Sequence, residues 1–432
     1  MRWMFVLLLL LPVSYALVVE SSGSVGQNPV IYGDVIAYAR EGSIYVYDAV
    51  SKQENFVAIG SDPFEFGFIV VFETPEKGVD LNGDGDFDDE VIQFADVRDR
   101  KVVNTHVAGR HPSLFSDLIV FASPWEEVPN GNVSDAGVYD KGSVIVQFDR
   151  RKNETKVFGA SGDFPVMTAN AIVFLQDENK AGSDLDADQD RLDQVVSVLD
   201  RTSGKVSNTH FASMSKLSLS RGLVVFSDGL VKAMDVKSET LKDTKLEGSD
   251  PALFGDVVIY ENDGELFGYA LNSGARAKLQ VKGVHPSIFE KKIAFVTSEQ
   301  VLGDLNGDGK ANAVVMRFAR DNDADRDNIS DFIDNCPDVQ GLQPDHDRDG
   351  VGDACDKDSP PIDEEVHEAP REGNVLVETN ETGSQESGAI EKGSHVAWYW
   401  YVLGAFILIA VAPFAFKVGV RYYRRRRKSF GF

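Results

Sequence analysis

Pro29-Val-Ile-Tyr-Gly-Asp-Val-Ile-Ala-Tyr38 is the first statement of a phrase that returns six more times. It recurs as Pro63 to Phe72, Pro112 to Phe121, Pro165 to Phe174, Leu217 to Phe226, Pro251 to Tyr260 and Pro286 to Phe295. An aromatic always falls nine positions after the first residue, behind an apolar run. A supersecondary phrase repeated at this length cannot bury its apolar face alone and must stack on its neighbours. A ring of seven small sheets, an all-β seven-bladed propeller, is the expected solution.

Each repeat has the same internal order. A short strand A follows the Pro, and the run ending in the aromatic is strand B. A second run forms strand C, as in Ile44-Tyr-Val-Tyr-Asp48, Val91-Ile-Gln-Phe94 and Val144-Ile-Val-Gln-Phe-Asp149. A fourth, such as Lys101 to Val107, forms strand D. β-branched and aromatic runs between Gly, Asp and Asn signals argue for strands throughout. The repeats start 34, 49, 53, 52, 34 and 35 residues apart, and the surplus of the long ones lies in the B–C loop. Blade 7 ends at its strand C, Val314 to Phe318, while Leu17-Val-Val-Glu-Ser21 stands as an orphan strand before blade 1. That strand is expected to complete blade 7, close the ring and remove two exposed edges. The phrase x-Pro…Gly-Asp-x-Ile-Ala-Tyr followed by Ile44-Tyr-Val-Tyr-Asp48 resembles the TolB-type propeller repeat over residues 17–320. The resemblance implies the fold and leaves function open, because such rings host binding proteins, enzymes and scaffolds alike.

Both ends read as membrane signals. Residues 1–16 carry Arg2, the apolar run Phe5 to Leu11 and the small-x-small Ser14-Tyr-Ala16, which is the pattern of a secretory signal peptide. Val396 to Phe416 is 21 residues without charge, opens on Trp398, Tyr399, Trp400 and Tyr401, and precedes a basic tail at 417–432. It is expected to span the membrane once, with the tail in the cytoplasm and the large N-terminal part outside. The formal charge is −26; with the eight cations of these two ends set aside, 35 basic against 69 acidic residues leave −34. That excess excludes nucleic acid as a partner class and suits a calcium-loaded surface. The two cysteines, Cys336 and Cys355, read as one disulfide in a secreted context. Asn132, Asn153, Asn328 and Asn380 lie in glycosylation sequons.

Three Asp ladders stand in B–C loops. Blade 2 has Asp80, Asn82, Asp84, Asp86 and Asp89; blade 4 has Asp184, Asp186, Asp188, Asp190 and Asp193; blade 7 has Asp304, Asn306, Asp308 and Asn312. Alternating oxygen side chains around a Gly turn match the six to eight oxygens that Ca2+ takes, without the position-twelve Glu of an EF-hand. Solvated acidic turns are the plain alternative. In blade 4, Gln189 replaces the turn Gly, and in blade 7 Lys310 and Ala313 weaken the pattern.

Residues 321–358 hold 13 Asp against Arg326, Arg348 and Lys357. Their order, Asp323-Ala-Asp325-Arg-Asp327…Cys336-Pro and Asp345-His-Asp347-Arg-Asp349-Gly…Cys355, looks like a pair of thrombospondin type 3 repeats. The resemblance implies calcium ligands at Asp323, Asp325, Asp327, Asp331 and Asp334, and at Asp345, Asp347, Asp349, Asp353 and Asp356. It implies little conventional core and cysteines that staple neighbouring loops. Asn328 stands where the turn Gly is usual and is expected to take the left-handed conformation. A segment of this composition is expected to be disordered without metal and stiff with it. Residues 359–395 read as a disordered stalk.

No metalloprotease helix, nucleophile elbow or phosphate loop is present in the sequence. The residues before strand A, namely Asn28, Asp62, His111, Phe164, Lys216, Asp250 and His285, are expected to ring the channel mouth. Asn28, Asp62, His111, Asp250 and His285 then form a polar arc over adjoining blades, either a ligand or transition-metal site or mere caps of the D–A turns. D–A and B–C turns share one face, so the ladders, the blade 3 insert Ser123 to Gly142 and the arc are expected together. The sequence thus reads as a membrane-anchored, calcium-binding surface protein that recognises a polymer, an envelope component or a protein without catalysis. A propeller hydrolase or lyase acting on glycan and a purely structural envelope protein are the alternatives.

Overall fold

The computed structural model describes residues 17–128, 142–321 and 323–357. The signal peptide, stalk, membrane span and basic tail expected from the sequence lie outside the described residues, as do 129–141 of the blade 3 insert. Among the described residues no helix is long and apolar enough to cross a membrane.

Among the described residues there are seven four-stranded antiparallel sheets. Blade 1 runs Gln27–Tyr32, Val35–Arg40, Ser43–Asp48 and Gln53–Ile59 as strands A to D. The other blades repeat that order. Strand A of each blade packs beside strand A of the next, and blade 7 meets blade 1, so the ring is closed. The closing strand is Val18–Val25, which pairs antiparallel with Val314–Arg320 as the outer strand of blade 7. The orphan strand therefore does what its position predicted, and runs four residues further than its apolar start indicated.

Why strand B is an unbroken apolar run is clear from its packing. Val70 and Phe72 face blade 1, while Ile69 and Val71 face blade 3. Both sheet faces are buried, so polar alternation is lost. Seven apolar clusters fill the seven junctions between blades. The aromatics of the phrase, Tyr38, Phe72, Phe121, Phe174, Phe226, Tyr260 and Phe295, are all fully buried there.

The phrase also has an earlier member. Gly26, Gly60, Gly109, Gly162, Gly248 and Gly283 lie three residues before each Pro, and a Cβ there would stand 2.2–2.8 Å from the ring of the strand B aromatic. Ring and glycine are one packing unit. Blade 5 lacks it: Met214 and Leu217 replace the Gly and the Pro.

At the far ends of the A strands a second set of rings touches in series. Phe254 meets Phe289 at 4.9 Å, Phe289 meets Tyr32 at 4.2 Å, Tyr32 meets Phe66 at 5.3 Å and Phe66 meets Phe115 at 6.2 Å. Aromatic rings of five adjoining blades thus line the end of the channel opposite the polar arc.

The Asp-rich segment is not a coreless neck. Phe332, 1% exposed, enters the apolar cluster between blades 6 and 7. Its carbonyl oxygen would lie 1.5 Å from a Cβ at Gly268, which only glycine allows. Gly350 accepts a hydrogen bond from the Lys278 N–H at 2.9 Å, on the outer strand of blade 6, and Arg276 Nη1 donates to the Arg348 carbonyl at 2.8 Å. Cys336 and Cys355 form the expected disulfide, with Cα atoms 5.8 Å apart. The resemblance to thrombospondin type 3 repeats implied little conventional core; one phenylalanine in a glycine socket supplies the anchor.

Candidate metal and ligand sites on one face

In blade 2 the ladder connects Ile69–Pro75 to Glu90–Asp96. Its Asp side chains fold the loop by accepting nearby backbone N–H groups: Asp80 from Gly83 at 2.5 Å, Asp84 from Asp86 at 3.0 Å and Asp86 from Asp88 at 3.3 Å. Asn82 Nδ2 donates to both Asp84 and Asp89, at 2.9 and 2.8 Å. Blade 4 repeats the pattern, Asp184 accepting from Ala187 at 2.6 Å and Gln189 at 3.1 Å. Ala187 and Gln189 take φ of 70° and 84° where blades 2 and 7 use glycine. In blade 7, Asp304 accepts from Gly307 and Gly309 at 2.6 and 2.8 Å.

A buried glutamate sits under each ladder, and the sequence reading missed all three. Glu76, 2% exposed, accepts the N–H of Leu81 at 2.5 Å and of Asn82 at 3.2 Å. Glu178 and Glu299, both 0% exposed, take the equivalent N–H groups of Leu185 and Asp186, and of Leu305 and Asn306. Glu299 also accepts from Asn312 and Ala313. The signal was legible: each glutamate directly follows strand B, in Glu76-Lys-Gly-Val-Asp80, Glu178-Asn-Lys-Ala-Gly-Ser-Asp184 and Glu299-Gln-Val-Leu-Gly-Asp304.

The outer strand holds each ladder from the other side. Asn104 Nδ2 and His106 Nδ1 lie 2.8 and 2.9 Å from the Leu81 carbonyl, and Asn208 and His210 meet the Leu185 carbonyl in the same way. The tripeptide Asn-Thr-His thus appears twice for one purpose. Blade 7 has Ser21-Ser22-Gly23 instead, and Ser21 donates to the Leu305 carbonyl at 3.2 Å. The ring-closing strand therefore also seats the third ladder.

Carboxylates converge in both longer loops. Glu76, Asp86 and Asp89 present ligand atoms within 4.8 Å of one another, as do Asp84, Asp89 and Glu127, and Glu178, Asp188, Asp190 and Asp193. Glu127 comes from a 3₁₀ turn of blade 3, Trp125–Glu127, so blade 2's ladder is shared between blades. Burial, then Asp84, raises the Asp89 carboxyl to about 6 and the Glu127 carboxyl to about 7.

In the Asp-rich segment, Asp327 accepts from Ile329 at 2.7 Å and Gly341 at 2.6 Å, and Asp345 accepts from Arg348 at 2.7 Å and Gly350 at 3.0 Å. Asp331 takes the Ala324 N–H at 3.1 Å, Asp347 that of Asp349 at 3.1 Å, Asp349 that of Val351 at 2.8 Å and Asp353 that of His346 at 3.1 Å. Asn328 adopts φ 69°, as expected of an Asn replacing the turn Gly. Burial first, then Asp327, Asp325 and Asp331, raises the Asp334 carboxyl to about 6.

The arc residues do not cap D–A turns. Asn28, Asp62, His111, Phe164, Asp250 and His285 lie inside strand A, at a bulge, with φ of 44–51°. Asn, Asp and His tolerate that conformation best; Phe164 shares it. The bonds that Asp62, His111, Asp250 and His285 make run between blades. His285 Nδ1 lies 2.8 Å from Asp250 Oδ2, and His111 Nδ1 lies 2.6 Å from Asp163 Oδ1. Lys216 of blade 5 reaches Asp62 of blade 2 at 2.6 Å. Glu73, on strand B and absent from the sequence-derived arc, accepts the His111 N–H at 2.6 Å and stands within ligand distance of Asp62 and His111. Burial, with Asp62 and Glu90 adding to it, raises the Glu73 carboxyl to about 7. Burial pulls the His111 imidazole down, but the Asp163 carboxylate outweighs it and holds it above its usual value.

No protein-family model and no curated protein sequence matches this chain. Among solved structures, it is similar to an oligogalacturonate lyase from Vibrio parahaemolyticus, at 11% identity and TM-score 0.45, over 70% of this chain and 93% of that one. It is similar to TolB from Acinetobacter baumannii at 10% identity and TM-score 0.36, over 68% and 78%. It is also similar to a computationally designed protein, Ika8, at 11% identity and TM-score 0.43, over 70% and 98%. At these TM-scores the likenesses carry no argument about this chain, and the seven-bladed ring stands on its own strand pairing.

Proposed function

We propose that the protein is a calcium-loaded recognition protein of the cell surface, held by one C-terminal membrane span. Its ligand is a polymer, an envelope component or another protein, bound at the loop-bearing face. The observation that carries the calcium reading is a set of buried carboxylate oxygens without a hydrogen-bond partner: Glu76 Oε2, Asp323 Oδ1, Asp325 Oδ2 and Asp334 Oδ2. An unpaired carboxylate oxygen inside a protein is costly, and such groups point to an ion. All four stand among further oxygen ligands, the donor set a hard cation takes. Glu76, Asp86 and Asp89 would hold calcium in blade 2, and Asp323, Asp325, Asp327, Asp331 and Asp334 in the first Asp-rich loop. Bound calcium would neutralise these carboxylates and fix the loops that surround the channel mouth.

Isothermal titration of the chelator-stripped protein with Ca2+ tests this reading. Saturable binding, weakened by Glu76→Gln, supports it; no heat of binding at millimolar calcium ends it. A glycan and protein array probed with the calcium-loaded protein, with and without chelator, then identifies the ligand class. Retention in the membrane fraction after alkaline carbonate washing tests the anchor.

A glycan hydrolase or lyase is the second reading. It draws on Glu73, a carboxyl raised to about 7 beside Asp62 and His111 at the mouth, which is the range of a working general acid or base. Turnover of an acidic or neutral glycan, abolished by Glu73→Gln, favours it over recognition alone.

A further inference from the structure

We propose that Asp62, Glu73 and His111 form a divalent transition-metal site at the polar mouth of the channel, with Lys216 as its internal competitor. This goes beyond the calcium reading and uses none of the ladder residues.

The three side chains come from two blades and present one ligand atom each within 4.8 Å of one another. The donor set differs in kind from the ladders. One imidazole nitrogen with two carboxylate oxygens suits Mn2+, Fe2+, Co2+ or Zn2+, whereas Ca2+ takes oxygen alone.

The histidine is held as metal-bound histidines are held. Its Nδ1 pairs with Asp163 Oδ1 at 2.6 Å, and its ring stacks on Phe164 with centroids 3.8 Å apart and planes 20° apart. A carboxylate on one ring nitrogen fixes the tautomer and presents the other nitrogen, Nε2, to the metal. Glu73, 5% exposed, is fixed in turn by the His111 N–H.

Charge points the same way. With both carboxylates ionised and the imidazole neutral the set balances one divalent ion, which on binding displaces any proton that Glu73 or His111 holds. The Lys216 ammonium, arriving from the far side of the ring, lies 2.6 Å from Asp62 Oδ1 and competes with a cation for that oxygen. The Lys216 side chain is more than half exposed, so it can leave for solvent when a metal enters. Three protein ligands leave coordination positions for water or an anionic ligand.

The test is a Co2+ titration of the full-length protein in detergent with calcium in large excess, so that the oxygen ladders are filled. Binding of one equivalent with visible d–d absorption is expected. His111→Asn, which keeps a residue tolerant of φ 50°, should abolish the absorption. Lys216→Met should tighten binding about fivefold, the scale of removing one partly exposed ion pair. An identical isotherm in wild type and His111→Asn overturns the site, as does no Co2+ binding in either wild type or Lys216→Met. Should His111→Asn fail to fold, Lys216→Met decides alone, and unchanged or weaker affinity overturns the proposal. Calcium saturates every arm, so failure here leaves the chelator and titration tests of the calcium reading untouched.

Discussion

Lys216 Nζ lies 2.6 Å from Asp62 Oδ1, an ion pair between blade 5 and blade 2, three blades away round the ring. It comes from the blade that departs from the repeat, with Met214 and Leu217 in place of the Gly and the Pro. Of the seven residues expected at the mouth, Lys216 alone lies outside strand A and does not share the positive φ of the other six. The irregular blade thus supplies the cation that crosses the channel mouth. A double-mutant cycle with Lys216→Met and Asp62→Asn should give a coupling of about 0.5 kcal/mol in thermal stability, falling with added salt. Coupling indistinguishable from zero at low salt would remove the pair as a structural feature.

The His285–Asp250 pair makes a pH prediction. The Asp250 hydrogen bond, its first cause, raises the His285 pKa, and the same bond lowers that of Asp250. The histidine's contribution to stability is full below about 6.5, its unfolded value, and is lost as pH rises through the higher folded value. The aspartate's contribution holds above its unfolded value and is lost as pH falls through its lowered folded one. The pair is therefore complete in mildly acidic solution. In an NMR titration His285 should titrate above 6.5 and return to an ordinary value in Asp250→Asn.

Gly109→Ala probes the packing unit that generates the repeat. Its Cβ would lie 2.4 Å from Phe121 Cδ2 and 3.1 Å from the Ala122 carbonyl oxygen. The ring is fully buried and has no room to move, so a loss of about 1–3 kcal/mol is expected by denaturant unfolding.

Phe332→Ala should cost about 3–5 kcal/mol of the docking of the Asp-rich segment. Gly268→Ala should release the same contact from the other side, because the Phe332 carbonyl occupies the Cβ position. Hydrogen exchange should quicken at the Lys278 amide in both variants while strands of blades 2 and 3 stay protected. Unchanged exchange there would show that the segment does not rest on blade 6.

Removing residues 17–25 leaves Val314–Arg320 as an open edge and takes away the Ser21 contact with Leu305. Exposed edges recruit other chains, so size-exclusion chromatography should show a larger associated fraction than for the intact protein.

The ring was readable because its signal is local and repeated. The Pro, the aromatic nine residues on and the orphan strand before blade 1 each state one packing requirement. The glycine three residues before the Pro belongs to the same pattern and was overlooked, since its partner is the aromatic twelve positions later. Ladder positions were readable from alternating Asp and Asn. Glu76, Glu178 and Glu299 were legible too, each directly after strand B, but the gap to the ladder varies in length and their role rests on burial. Glu73 and Asp163 were unreadable: their place at the mouth depends on inter-blade geometry. Phe332 gave no periodic signal at all, and only the socket at Gly268 explains it.

Differential scanning calorimetry of the full-length protein, in millimolar calcium and again after chelator, tests the central claim most directly. Calcium at 100 times its dissociation constant stabilises by about 2.7 kcal/mol at a single site. With several sites, the melting temperature should rise by at least about 5 °C with calcium, and Glu76→Gln together with Asp89→Asn should lose part of that rise. Superimposable melting curves in calcium and in chelator would contradict the account.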